Sequence, residues 1–386
     1  MRKVAVIGIG LTKVAERWDK SLRELCGDAI LMALQDAQQT TADAFFIGNM
    51  MSSSANNQQN IGAYITDWVG SRGAESIRVE SACSSGSASF RAAVLAVASG
   101  EVNVAVAAAV EKMTDSPGPE TTAYLATAAD ADWEVDQGVS FVALNALLMQ
   151  RYLAEYSWKH ESFANFSINA HQNAIHNPNA MFHMQITQEK FNRAPVICDP
   201  LKLLDASPIG DGAAAAVIVP FESEKISTDH KTVIIAGSAA ASDTIAVHSR
   251  KDALWLSAAE KSAKSAYSQA GISAADIDLF EYHDAFTIMA SLSLEACGFA
   301  ERGHAPKLAV DNKISINGEI PVATMGGLKA RGHPVGATGL FQLVEIVQQL
   351  RHEAGKNQVP GAKYGMAQNI GGSGSNIITH ILTNSG

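Results

Sequence analysis

The chain has 386 residues, of which 47% are hydrophobic, 18% charged and only 6% aromatic. That length holds two or three structural units and buries enough apolar surface to be stable without covalent staples. The formal net charge of −10, with no run of Lys or Arg, excludes nucleic acid as the main partner. Cysteines at 26, 83, 198 and 297 form no CxxC pair, so neither a zinc site nor a disulfide framework is expected. Such cysteines, with no secretory signal, read as a protein of the reducing cytoplasm. The longest apolar stretch, 92–110, is interrupted by Gly100, Glu101 and Asn103 and does not read as a membrane span.

Taken in chain order, Val4–Ile9 is a buried-strand candidate, followed by an amphipathic helix over Leu22–Gln38. Phe45–Ile47 and Ile77–Glu80 read as short strands, a helix opens near Cys83, and Val102–Val110 is another β-type run. This alternation predicts an α/β fold with helices covering a sheet. Residues 114–205, rich in His, Asn and Pro, break the rhythm and read as an irregular insertion that covers a site. The pattern restarts at Thr232–Gly237, with a helix over Ala258–Gln269 and a strand at Ile277–Tyr282. A Gly-rich turn and helix follow over Gly327–Leu350, then a closing strand pair over Ala367–Leu382.

The restart is a duplication. Cys83 is followed by Gly86 and a helix, His333 by Gly336 and a helix, and both pairs lie 250 residues apart. DGAAAAVIVP at 211–220 likewise matches GGSGSNIITHIL at 371–382 as a Gly-opened final strand. Two copies of one βαβ-based unit, 1–225 and 231–386, are expected to face each other, joined by the polar segment Phe221–His230. GIG at 8–10 follows a strand, but Lys13 stands where a dinucleotide site needs its third glycine.

The chemistry-bearing residues sit where strands give way to helices. Cys83, in SACSSGS, opens an Ala-rich helix whose dipole and free N–H groups favour thiolate; position alone leaves open a buried structural cysteine. His333, in GGLKARGHPVGATG, is set in a turn with glycines 326, 327, 332 and 336, and the repeat places it opposite Cys83, as a base that activates a nucleophile must be. His283, in EYHDAFT, follows a strand where α/β folds place ligands. Its neighbour Asp284 either orients another group or caps the following helix. QNIGGSGS at 368–375 lacks the Lys-Ser/Thr of a Walker loop, and its backbone N–H groups suit a developing oxyanion. His171, His176 and His183 lack metal-ligand spacing, so no metal site is expected.

With Cys83, His283, GHP at 332–334 and NIGG at 369–372 assembled, the sequence resembles the thiolase superfamily over essentially its whole length. DPLKLLDASPIGDGAAAAVIV at 199–219, EYHDAF at 281–286 and GGLKARGHPVGATG at 326–339 resemble most the archaeal acetoacetyl-CoA and sterol-carrier-protein-type branch. The resemblance implies an α/β thiolase fold, five-layered αβαβα, built of duplicated halves with an inserted loop domain. It implies an acetyl-CoA C-acetyltransferase working by ping-pong acyl transfer and Claisen condensation. Cys83 would carry the acyl group and His333 accept its proton. His283 stands where other thiolases place an Asn that holds an oxyanion-stabilising water, and the N–H groups of Cys83 and Gly371 would form an oxyanion hole.

Coenzyme A thioesters are the implied substrates, with no tightly bound cofactor. The implied assembly is a homodimer or dimer of dimers, joined by hydroxymethylglutaryl-CoA synthase and a small zinc-ribbon/OB-fold acyl-CoA-binding protein in the mevalonate pathway. Thiolysis of longer or branched 3-oxoacyl-CoA, a partner-dependent carbon acyltransferase and a non-catalytic scaffold are the alternatives. One departure stands out: where most thiolases supply a second cysteine as the α-proton base, this chain has Asn369 and Ala285. His283 or His333 is expected to take that role.

Overall fold

The computed structural model describes residues 2–221 and 231–384, so the expected linker beyond Phe221 lies outside the described residues. The first half runs β1 (Val4–Leu11), α1 (Leu22–Asp36), β2 (Ala44–Gly48), the single turn α2 (Ser52–Ala55), α3 (Ile61–Trp68), β3 (Glu75–Val79), α4 (Ser85–Ser99) and β4 (Ala105–Glu111). After the insertion, which carries α5 (Gly118–Ala126), α6 (Phe141–Tyr156), α7 (Ala164–Ala174), α8 (Gln188–Arg193) and the hairpin β5 (Val196–Cys198) and β6 (Leu201–Lys202), it closes on β7 (Gly212–Pro220). The second half runs β8 (Val233–Ser242), α9 (Ser257–Ala270), β9 (Leu279–Glu281), α10 (Thr287–Ala296), α11 (Ala305–Val310), α12 (Thr338–Arg351), β10 (Tyr364–Gly371) and β11 (Asn376–Asn384).

Local chemistry accounts for the elements. Ser21 and Glu24 close a reciprocal capping box that starts α1. β4 and β7, AVAAAVE and GAAAAVIVP, show no polar alternation because both faces are covered. The strand order β3-β2-β4-β7-β1-β8-β11-β10-β9 is symmetric about a short β1–β8 contact. Outward from that contact, each half places its opening strand, its closing strand, then the strand antiparallel to the closing one. A parallel bridge between Phe280 and Val322 marks the place of the second half's missing outer strand.

Three apolar cores fill the spaces between five layers, the middle one lying on both sides of the central helices. Leu25 and Ile30 of α1 pack on one face of the first half's strands. Phe90 and Val97 of α4 pack with Phe341 and Val344 of α12 in the middle. Ala263 of α9 and Ile288 of α10 cover the far face, with insertion helices α6 and α7. The GIG glycines also find their reason here: a Cβ at Gly8 or Gly10 would come 2.2 Å from a backbone oxygen of α1, and at Gly237 of β8 2.5 Å from one of α9. They are duplicated strand–helix contacts.

The central helices meet end to end through glycine. A Cβ at Gly86 would lie 2.9 Å from the Leu340 nitrogen, and one at Gly339 2.4 Å from Ser87 Oγ and 2.7 Å from its backbone nitrogen. This close approach joins the Cys83 and His333 turns. Gly339→Ala is expected to cost about 1–3 kcal/mol by overpacking, read as a lower midpoint in urea unfolding. An unchanged midpoint would show that the two helices can part freely.

The insertion is not irregular, as the sequence had suggested; it is mainly helical. Its asparagines hide an ordered face rather than a loop: on α7 and just beyond it, Asn169, Asn173 and Asn177 donate to the carbonyls of Val322, Ala323 and Met325 at 2.8–3.0 Å. A polar stripe with helical spacing has no apolar periodicity to announce it. Among the described residues, no helix is long and apolar enough to cross a membrane.

Candidate active site

Cys83 lies two residues before α4, in a turn held by its own serines. Ser84 Oγ donates to the Ser81 carbonyl and Ser85 Oγ to the Ala82 carbonyl, each at 2.6 Å, while the Ser81 N–H donates to Ser85 Oγ at 2.9 Å. Ala82 takes the left-handed backbone conformation, φ +47°, which a non-glycine residue keeps only under constraint. Cys83 is half-buried and lines the cavity described below.

Burial and the charge of Glu111 push the Cys83 thiol up to about 12, against the N–H groups of Cys83 itself and Gly372, which favour its anion. Desolvation thus opposes the preference for thiolate expected at a helix terminus. The amide aimed at the sulfur belongs to Gly372, one residue beyond Gly371, which stays in strand register opposite Asn376. Alkylation of Cys83 by iodoacetamide is expected to be slow at pH 7–8 and to rise ~tenfold per pH unit towards pH 10. A plateau below pH 9 in peptide mass mapping would instead reveal a preformed thiolate.

His333 and His283 come from the second half, 8% and 3% exposed. Their rings meet edge to face, centroids 5.1 Å apart. His333 Nδ1 lies 2.7 Å from Thr338 Oγ1, whose hydroxyl reaches back to the Pro334 carbonyl at 3.4 Å. His283 Nδ1 faces the Asn369 side-chain amide at 2.9 Å and the Ile370 N–H at 3.4 Å. Burial lowers His283 to about 3, with Arg331 adding to it. It also holds His333 well below the usual imidazole value, helped by His283 and Arg331. Both shifts favour the neutral imidazole.

Glu111 ties these turns together. Its buried carboxylate accepts four N–H groups, from Asn49, Met50, Met51 and Gly336, at 2.9–3.0 Å. Burial nevertheless raises it to about 7. Asp284 caps nothing on α10; it accepts the Leu328 N–H at 2.7 Å and so holds the glycine turn before His333. The helix-cap option for Asp284 is thus excluded, because its side chain points across to that turn.

Cys83, His283, His333, Ala285 and Gly372 line one cavity of about 210 Å³. Its remaining wall is largely apolar and draws Phe141 and Asn145 from α6, Ser207 and Ile209 from the DASPIG segment, and Met289 from α10. Among the described residues, Cys83, His283 and His333 are the titratable side chains on that wall. Cys26 and Cys297 are buried in the cores, and Cys198 lies in β5.

The family described as "Thiolase, N-terminal domain" matches residues 4–222, and "Thiolase C-terminal domain-like" matches 239–384. The chain belongs to the thiolase family. It is 44% identical to an acetyl-CoA acetyltransferase of Methanothermobacter thermautotrophicus over 99% of this chain and 100% of the relative. Identity to one from Methanocaldococcus jannaschii is 39%, over 99% of each chain. Its fold is shared with a chain of the Ltp2-ChsH2(DUF35) aldolase at TM-score 0.86 and 24% identity, covering 99% of this chain and 98% of that one.

In this thiolase the positions that commonly carry a second cysteine behave differently from each other. Ala285 lines the cavity, whereas Asn369 lies behind His283 as its hydrogen-bond partner. Sequence reading missed the supports of the site. Asp205 binds Thr287 Oγ1 at 2.5 Å and His160 Nε2 at 2.7 Å, and Asp211 accepts the Met113 and Thr114 N–H groups at 2.7 and 3.0 Å. Both bracket the Ser207–Ile209 wall, and the paired aspartates of DASPIGDG were the available signal. Nothing local marked Glu111 or Arg331, whose buried guanidinium lies 3.4 Å from Glu345. Of the three insertion histidines, His171 Nδ1 meets the Met184 carbonyl and His183 Nε2 that of Asn177.

Proposed function

We propose that this thiolase is an acetyl-CoA acetyltransferase, joining two acetyl-CoA into acetoacetyl-CoA and free CoA through an acetyl group carried on Cys83. The observation that carries the reading is a single cavity lined by a half-buried thiol and two buried imidazoles, with backbone N–H groups beside the sulfur. Acyl transfer passes through a tetrahedral oxyanion, and one preorganised donor is worth about 10²–10³ in rate. The amides of Cys83 and Gly372, rather than Gly371, are assigned that task. Splitting the reaction into acylation and condensation gives ping-pong kinetics.

The names of the relatives support the acetyl substrate. The homo-oligomer, the two halves 1–225 and 231–386, and the cytoplasmic isoprenoid role belong to the same proposal. So do the partners hydroxymethylglutaryl-CoA synthase and the acyl-CoA-binding protein. The test is incubation with acetyl-CoA followed by intact mass: one acetyl adduct is expected, mapped to Cys83. Acetoacetyl-CoA with CoA should then be consumed. Failure of both, with the candidate partners added, would favour the scaffold.

A further inference from the structure

Among the described residues the cavity has no second thiol, yet the condensation half of the reaction removes a proton from the methyl group of acetyl-CoA. The hydrogen bonds behind the two imidazoles bear on which ring can receive it. The Ile370 N–H is a backbone donor and cannot turn round, so the His283 Nδ1 it faces holds a lone pair rather than a proton. Asn369 must then present its NH₂ to the same atom, at 2.9 Å. With Nδ1 filled from behind, neutral His283 carries its proton on Nε2 and offers the cavity a donor only.

His333 has the opposite setting. The Thr338 hydroxyl has the Pro334 carbonyl one helical turn back as its acceptor, a common habit of helix-borne threonine, which leaves its lone pair for His333 Nδ1–H at 2.7 Å. The lone pair of His333 then lies on Nε2. Three ionisable groups nearby make hydrogen bonds away from the two rings, and Arg331 is a cation that cannot accept a proton. Glu111 is filled by four N–H groups, Asp284 holds the Leu328 amide, and the Lys329 ammonium is bound to the Asp205 carbonyl.

We propose that Asn369, with the Ile370 amide, locks His283 as a hydrogen-bond donor, and that His333 is the base of both half-reactions. The inference rests on the acetyltransferase reading above. In the first half, His333 Nε2 takes the Sγ–H proton as sulfur attacks the thioester carbonyl. The tetrahedral oxyanion collapses, the carbonyl–sulfur bond to CoA breaks, and the leaving thiolate takes the proton back from His333 as CoA–SH. The acetyl-enzyme is left with a neutral His333, its Nε2 again free.

In the second half, that Nε2 takes the α-proton of a new acetyl-CoA, and His283 Nε2–H binds the enolate oxygen. The carbon attacks acetyl-Cys83, the carbon–carbon bond forms, the bond to Sγ breaks, and the Cys83 thiolate recovers the proton from His333. No net proton is gained or lost: each deprotonation exchanges two neutral groups for a mutually stabilising ion pair, and each return of the proton restores two neutral groups. Asn369 is a positioning residue in this scheme, since it acts through His283.

Two measurements test it. In protein labelled with ¹⁵N-histidine, and assigned with His283→Asn and His333→Asn, His283 should show the Nε2–H tautomer and His333 the Nδ1–H tautomer. Asn369→Leu should shift His283 towards a tautomer mixture, which mere loss of packing would not do. A His283 carrying Nδ1–H overturns the proposal.

The second loads Cys83 in each variant with an activated acetyl ester at raised pH, which bypasses the first proton transfer, and confirms loading by intact mass. Acetyl-CoA is then added and acetoacetyl-CoA followed in a single turnover. His333→Asn should condense about 10²-fold or more slowly than wild type. His283→Asn keeps an N–H donor and should lose only about tenfold. Condensation at the wild-type rate by acetylated His333→Asn would end the single-base scheme. Failure of wild-type Cys83 to be acetylated by acetyl-CoA itself would end the underlying reading instead.

Discussion

Cys83→Ala is expected to lower turnover by a factor of order 10⁵ or more while leaving the unfolding midpoint close to wild type. The size of the loss follows from the geometry. Among the described residues, no other thiol reaches the cavity, because Cys26 and Cys297 are buried in the cores on either side and Cys198 lies in the insertion hairpin. Loss of a covalent nucleophile removes both half-reactions together, so the variant should show neither the acetyl adduct nor thiolysis of acetoacetyl-CoA. The thiol is half-buried and its turn is held by serine hydroxyls and backbone, so removing sulfur leaves those bonds in place. Residual turnover within a hundredfold of wild type would mean that the acyl group is carried elsewhere or not at all.

His333→Asn should slow acylation of Cys83 by about 10²–10⁴-fold, the usual worth of a positioned general base. A thiol pushed up to about 12 is ionised in roughly one molecule in 10⁴ at pH 8, so without a base the attack depends on that small fraction. The sign of the pH response follows. In the variant, the acylation rate should climb ~tenfold per pH unit as solvent supplies thiolate, whereas the wild type, whose proton goes to His333, should respond less steeply. Stopped-flow release of CoA from acetyl-CoA reads both. A variant with a flat profile would show that thiol ionisation is not what His333 assists.

The sequence by itself determined the alternation of strands and helices, and it singled out three side chains that the structure brings to one cavity. These are properties of short stretches: the 250-residue offset of Cys83 and His333, and the strand-to-helix settings of Cys83 and His283, need no knowledge of what packs against them. The helices of the insertion were hidden because Asn169, Asn173 and Asn177 spend their polarity on carbonyls about 150 residues away, which no local periodicity displays. Only the tertiary structure decided the state of the reactive groups. Burial and Glu111 raise the thiol, the amide beside its sulfur is that of Gly372, and the Nδ1 atoms of His333 and His283 meet Thr338 and the Ile370 amide. Residue type names the chemistry available at a position; desolvation and the partners brought there by the fold decide which protonation state performs it.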